Sequence, residues 1–313
     1  MKPPAGEPAL NRGYRHREQI GPDGAGATAL AHLVARHPQA DEATWTQRIR
    51  SGAVTLDERT FEPDQRLVAG QWLVWNRPPW IEPEVPWATA VLYEDGDLLA
   101  VAKPDGLPTL PGGGLYLEHT LLALVRRRAP EARPMHRLGR STSGLVLFAR
   151  TAEAAGAVQV SFRSHGLRKV YRALCAGHPI RDRFEVAAPI GDVPHALLGT
   201  VHGACPGGKS ALSHVRVLER REGCSLVEVE IETGRPHQIR IHLAFAGHPL
   251  VGDPLYGAGG LPQPGTRALP GDPGYRLHAF RLELVHPRTL ELLSLVCAPP
   301  SILRLREAAP DRY

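Results

Sequence analysis

Apolar runs interrupted by glycine, proline and charge divide this chain of 313 residues into unequal parts. The first regular pattern, Ala29-Leu30-Ala31-His32-Leu33-Val34-Ala35-Arg36, predicts a helix over 29–36, and a second helical stretch is expected around 45–50. Ser51-Gly52-Ala53-Val54-Thr55-Leu56 and the run 68–74 then read as two short strands. Residues 1–20, rich in proline, glycine and charge, are expected to form a flexible tail. Pro78, Pro79, Pro83 and Pro86 forbid helix and predict an extended linker over 77–88, which leaves 21–76 as a small domain and 89–313 as a large one.

In the large part, apolar runs at 90–93 and 98–102 flank Glu94-Asp95-Gly96-Asp97, a hairpin signal. A helix is expected near 118–128. Strands follow at 145–149, 170–176, 211–218, 225–231, 276–284 and 290–296, with helices at 152–164 and 236–246; 257–274, full of glycine and proline, reads as a surface loop. Strand following strand without regular crossovers predicts an α+β domain on a mixed, largely antiparallel sheet.

Composition narrows the partners. No run approaches the ~20 apolar residues of a membrane span, and the first ten residues carry three prolines and no apolar signal core, so a cytoplasmic protein free of membrane is expected. The four cysteines form no C-x-x-C pair, and His237 and His242 lack the glutamate of H-E-x-x-H, so neither a disulfide framework nor a metal is expected. The net charge of +5 is uneven: between positions 126 and 183 thirteen basic residues face three acidic ones. A localised positive field suits a polyanion, whose phosphates supply sequence-independent affinity. Arginine on ordinary solvated faces accounts for the scarcity of lysine, four of 37 basic residues, but not for the clustering.

Four segments carry the chemistry: Lys103-Pro104-Asp105-Gly106-Leu107; His136-Arg137-Leu138-Gly139-Arg140-Ser141-Thr142-Ser143-Gly144; Lys169-Val170-Tyr171-Arg172-Ala173; and Thr233-Gly234-Arg235-Pro236-His237-Gln238-Ile239-Arg240-Ile241-His242-Leu243, continued by Gly252-Asp253. In this order they resemble the motifs of RNA pseudouridine synthases of the RluA type, which modify uridines in large-subunit ribosomal RNA and transfer RNA. The resemblance implies the pseudouridine synthase fold, isomerisation of uridine to pseudouridine in rRNA or tRNA, and no metal or organic cofactor. A stacked uridine must be flipped out at a cost of a few kcal/mol. By resemblance Arg137 fills the vacated space, Tyr171 stacks on the extruded ring and assists proton removal, and Arg240 keeps a nucleophilic aspartate ionised. RNA contacts are expected from Arg137, Arg140, Lys103, Arg168, Lys169, Arg235 and His237. Residues 21–76, two helices and a hairpin, resemble a degenerate S4-type RNA-binding domain, with a purely structural cap as the other reading. Structured RNA is the expected partner, and a monomer is assumed.

The family's nucleophilic aspartate is replaced here by Gly139, which has no side chain. Three accounts fit: an RNA-binding or RNA-chaperone relative without catalysis, an acid such as Asp105 or Asp253 in the nucleophile's place, or an introduced substitution. Takeover is the weakest, since both acids belong to motifs of their own. The substitution is expected to leave Arg240 an unpaired cation. Outside the motifs each residue has a plainer role, Tyr171 in a strand core, Arg240 solvated on its helix, Arg137 and Arg140 as surface charge. A hydrolase reading of Gly139-Arg140-Ser141-Thr142-Ser143 fails the G-x-S-x-G pattern at its fifth position.

Overall fold

The computed structural model describes residues 10–37, 40–112, 115–164 and 166–306. The described residues form two units that meet between Glu82 and Pro83, inside the proline-rich linker.

The smaller unit runs β1 (Tyr14–Gln19), α1 (Ala29–Arg36), α2 (Glu42–Arg50), β2 (Val54–Leu56) and β3 (Trp72–Arg77), with strand order β1-β3-β2. Thr28 and Asp41 cap the helices by accepting from the backbone N–H groups of Ala31 and Thr44. Leu33, Trp45, Ile49, Val54, Leu67 and Leu73 build the core. The expected tail is corrected in part: its first nine residues lie outside the described ones, but Tyr14–Gln19 is a strand paired along β3. Its sequence YRHREQ has no apolar alternation, so the strand is recruited by the unpaired edge of β3 rather than by its own propensity.

The larger unit continues with β4 (Ala90–Glu94), β5 (Leu98–Lys103), α3 (Leu121–Arg126), β6 (Arg133–Pro134), β7 (Thr142–Ala149), α4 (Ala152–Arg163), β8 (Arg168–Ala176), β9 (Arg183–Val186), β10 (Ile190–His195), β11 (Gly199–Ala204), β12 (Ser213–Arg221), β13 (Cys224–Ile231), α5 (Gln238–Phe245), β14 (Leu277–Val285) and β15 (Leu292–Val296). The fold is α+β, as expected. Among the described residues a ten-stranded sheet runs β4-β5-β7-β14-β8-β13-β12-β9, with β15 on β14 and β6 on β7, while β10 and β11 pair separately. Its pairings are antiparallel except at β7–β14. The short β6, β9 and the β10–β11 ribbon had no clear signal in the sequence.

The parallel seam brings distant motifs together. β7 begins where the 136–144 segment ends, and β14 places Ala279 beside both Gly144 of β7 and Tyr171 of β8. The strands approach closely: a Cβ on Gly144, whose φ is +113°, would stand 2.3 Å from the Ala279 carbonyl oxygen. Ser143 Oγ donates to His278 Nδ1 (2.9 Å) and His278 Nε2 to the Cys297 carbonyl (2.9 Å), so β7, β14 and the residue after β15 are stitched by one neutral imidazole. Burial pushes that imidazole down to about 4, which keeps both roles fixed at neutral pH.

Candidate active site

The 136–144 segment is held from beneath by backbone contacts. His136 Nε2 accepts from the Leu147 N–H (3.0 Å), and burial, with the Lys169 charge, pushes its pKa down to about 4. Thr109 clamps Leu138 both ways, donating from Oγ1 to the carbonyl (2.9 Å) and accepting from the N–H (3.1 Å). The Gly139 carbonyl accepts from the Thr142 N–H (3.0 Å), closing a tight turn.

Lys103, expected on RNA, is instead 2 % exposed. Its ammonium donates to the carbonyls of Pro104 (2.9 Å), Leu107 (2.6 Å) and Arg140 (2.9 Å), which spends all three protons on the protein's own backbone. Burial pushes its pKa down to about 7. The residue is a clamp between the Lys103–Leu107 motif and the loop. Arg140 is similarly occupied, donating from Nε to the Gly271 carbonyl (2.9 Å) and from Nη1 to Tyr116 Oη (2.8 Å).

Arg240 lies on α5, which starts after His237 at φ +56°. It is 2 % exposed, not solvated. It is not unpaired either: Nε and Nη2 donate to Asp253 Oδ2 (2.7 Å) and Oδ1 (2.8 Å), a bidentate ion pair, and Nη1 donates to the Pro270 carbonyl (2.7 Å). The guanidinium sits 4.2 Å from the Tyr275 ring centroid and 4.9 Å from that of Tyr256. Burial alone would weaken the charge, but Asp253, together with Tyr275 and Tyr256, more than offsets it and the pKa is raised. Asp253 also accepts the N–H groups of Leu255 and Tyr256. The carboxylate is thus fully engaged and 1 % exposed, which removes it as a substitute nucleophile. Asp105 is 46 % exposed and stands 3.7 Å from Arg276.

Tyr171 is half-buried in β8, packed between two clusters of the core. Burial raises its hydroxyl to about 12, so at neutral pH it offers a protonated phenol ring, fit for stacking and poor as a base. Arg137 is exposed, near enough to His237 for its charge to lower that imidazole. His237 Nδ1 donates to Tyr256 Oη (2.8 Å), because that hydroxyl spends its own proton on the His202 carbonyl (2.7 Å). Burial and the Arg240 charge push His237 down to about 3, leaving a neutral ring. Arg235 Nε donates to the Ser210 carbonyl (3.0 Å). Arg168 is paired with Glu230 (2.9 Å) and Glu283 (3.4 Å), and Lys169 lies 5.8 Å from the Phe162 ring centroid.

Tyr275 is the residue the sequence did not single out. It is 2 % exposed at the end of the glycine- and proline-rich loop, and its hydroxyl lies 3.2 Å from Thr142 Oγ1. A Cβ built on Gly139 would stand 2.9 Å from that hydroxyl and 3.5 Å from Thr142 Oγ1. Gly139 itself is exposed, and the tyrosine hydroxyl crowds one side of the position its side chain would take.

RNA pseudouridylate synthases match the chain over residues 97–245. An uncharacterised RNA pseudouridine synthase of Synechocystis is 42% identical over 86% of this chain and 93% of its own length. Ribosomal large subunit pseudouridine synthase D of Neisseria meningitidis is 33% identical over 92% and 81% respectively. The solved structure of human RNA pseudouridylate synthase domain containing 1 superposes with a TM-score of 0.53 at 29% identity, covering 68% of this chain and 84% of that one. With the motif order, the β7–β14–β8 seam and these relatives in agreement, the chain belongs to the RluA-type RNA pseudouridine synthases.

Proposed function

We propose that this member recognises structured ribosomal RNA and everts a uridine against Tyr171, while Gly139 leaves it without the nucleophile that turnover needs. The observation that carries this reading is the Arg240–Asp253 ion pair. The cation that the resemblance assigns to the catalytic aspartate is already neutralised inside the fold, so the site is stable without a carboxylate at 139, and Asp253, buried and held by four hydrogen bonds, is not placed to take over. Arg137, exposed beside His237, supplies the side chain that fills the space left by the base, and the N-terminal unit, S4-like in element order, adds phosphate contact. Ribosomal RNA is favoured over transfer RNA by the large-subunit relative, and a monomer in the cytoplasm suits both substrates.

The test compares the chain with Gly139→Asp and with Gly139→Asp/Tyr275→Phe on total RNA, reading pseudouridine by carbodiimide adducts. The Gly139 protein is expected to bind RNA in a salt-sensitive manner with turnover at least ~10³-fold below that of the aspartate variants. The double variant is expected to be the faster, because it removes the hydroxyl standing 2.9 Å from the new Cβ. Pseudouridine made by the Gly139 protein at a rate comparable to the variants would overturn the reading.

A further inference from the structure

We propose that the N-terminal unit binds one divalent transition-metal ion of the zinc class through His16, Glu18 and His37. The pleat of β1 puts His16 and Glu18 on one face, and these two are half-buried while Arg15, Arg17 and Gln19 between and around them are exposed. His37 is the C-cap of α1, brought against that face by the helix. One ligand atom from each of the three lies within 4.8 Å of the other two, the one such trio of histidine, cysteine or carboxylate groups among the described residues. In a tetrahedral site with metal–nitrogen distances near ~2.1 Å the ligand atoms are roughly 3.4 Å apart. His37 Nε2 and Glu18 Oε2 are already 3.5 Å apart, so closure asks for a small movement of His16.

The carboxylate is oriented as a ligand would be. Glu18 Oε1 is taken by His32 Nε2 (3.3 Å) and Arg36 Nε (3.1 Å), which leaves Oε2 to face His37. Such outer partners fix the orientation of metal-binding groups in general. The imidazole of His16 meets that of His37 edge-on at 5.3 Å and has no hydrogen bond among the described residues, so its nitrogens are unspent. Two imidazoles and one carboxylate suit zinc, cobalt or nickel, whereas calcium and magnesium require oxygen ligands. Arg36 draws off part of the carboxylate's charge, and the fourth position is left to water, so binding is weaker than in a closed four-ligand site. The ion would pin the end of α1 to the edge strand β1, independently of what happens at Gly139.

The untagged full-length chain, stripped with a chelator, is titrated with zinc chloride by calorimetry and with cobalt(II) as a visible-absorption probe. One ion per chain is expected, with affinity falling at least tenfold in Glu18→Gln and in His16→Asn, and unchanged in His214→Gln, which removes an imidazole held by Glu185 and Glu232 in the other unit. His16→Asn lies on an edge strand and Glu18→Gln keeps the side chain's shape, and circular dichroism checks each fold. Absence of stoichiometric binding, or equal binding in the two β1 variants and the parent, would overturn the proposal.

Discussion

Arg240 and Lys103 are equally buried at 2 % exposure, yet the fold solvates their charges in opposite ways. Arg240 meets a carboxylate in a two-point ion pair, and its charge is reinforced. Lys103 meets three carbonyl oxygens and no carboxylate at hydrogen-bond distance, and its charge is weakened until it titrates near neutrality. Dipoles satisfy the geometry of a buried cation, but only an opposite charge offsets the cost of taking it out of water.

The strongest way to break the contrast is to remove the carboxylate. Asp253→Asn should cost about 3–5 kcal/mol in urea unfolding, the penalty of an uncompensated buried charge, whereas Arg240→Met/Asp253→Leu should cost much less. A loss below about 1 kcal/mol in the single variant would mean that the Pro270 carbonyl and the two tyrosine rings suffice for Arg240.

The contrast sharpens with pH. The pKa of folded Lys103, about 7, lies below the unfolded 10.5, so between those values the unfolded chain holds a proton that the folded chain has released. Stability therefore rises with pH through this window, by up to about 1.4 kcal/mol per pH unit from this one group, and is lost again as pH falls toward 7. Cys175 and Cys297, raised from 9.0 to about 11, act with the opposite sign above pH 9, so the interval from 7 to 9 is the one to measure. The difference between the parent and Lys103→Met should carry that slope; parallel profiles would show that Lys103 stays charged throughout.

The smallest expected effect is at Tyr275. Tyr275→Phe removes the hydroxyl contact with Thr142 and keeps the ring over Arg240, so a loss of about 1 kcal/mol is expected. A loss of several kcal/mol would assign part of Arg240's stabilisation to the hydroxyl instead of the ring.

Local patterns in the sequence were legible where they were strongly periodic: the helix at 29–36 matches α1, and the strands expected at 225–231 and 290–296 lie on β13 and β15 within two residues. Sheet order was not, because pairing of β7 with β14 joins segments 135 residues apart through backbone bonds that leave no side-chain signature. In the site, Gly252-Asp253 is legible as a motif, but the resemblance puts the partner of Arg240 at position 139; Asp253 lies thirteen positions along the chain from Arg240, and only the turn after α5 reveals that the carboxylate comes from there. Tyr275 gave no signal, being one aromatic in a glycine and proline run. The basic block at 126–183 overstated the surface field, since Arg128, Arg150 and Arg168 are answered by Glu94, Glu230 and Glu283 from outside it. The trio His16, Glu18 and His37 escaped metal-spacing rules because it spans a strand and a helix end, one of them read as tail.

Three consecutive carbonyls, those of Pro270, Gly271 and Asp272, receive donors from Arg240, Arg140 and Ser141. Because these anchors are main-chain atoms, the side chains at 270 and 271 can drift without loosening the grip, Asp272 being tied by its own carboxylate to the Leu269 N–H, while a single inserted or deleted residue there would shift every anchor out of step. Across descendants of this chain, the end of the loop should therefore tolerate changes of letter and resist changes of length, the reverse of what its glycine- and proline-rich composition suggests.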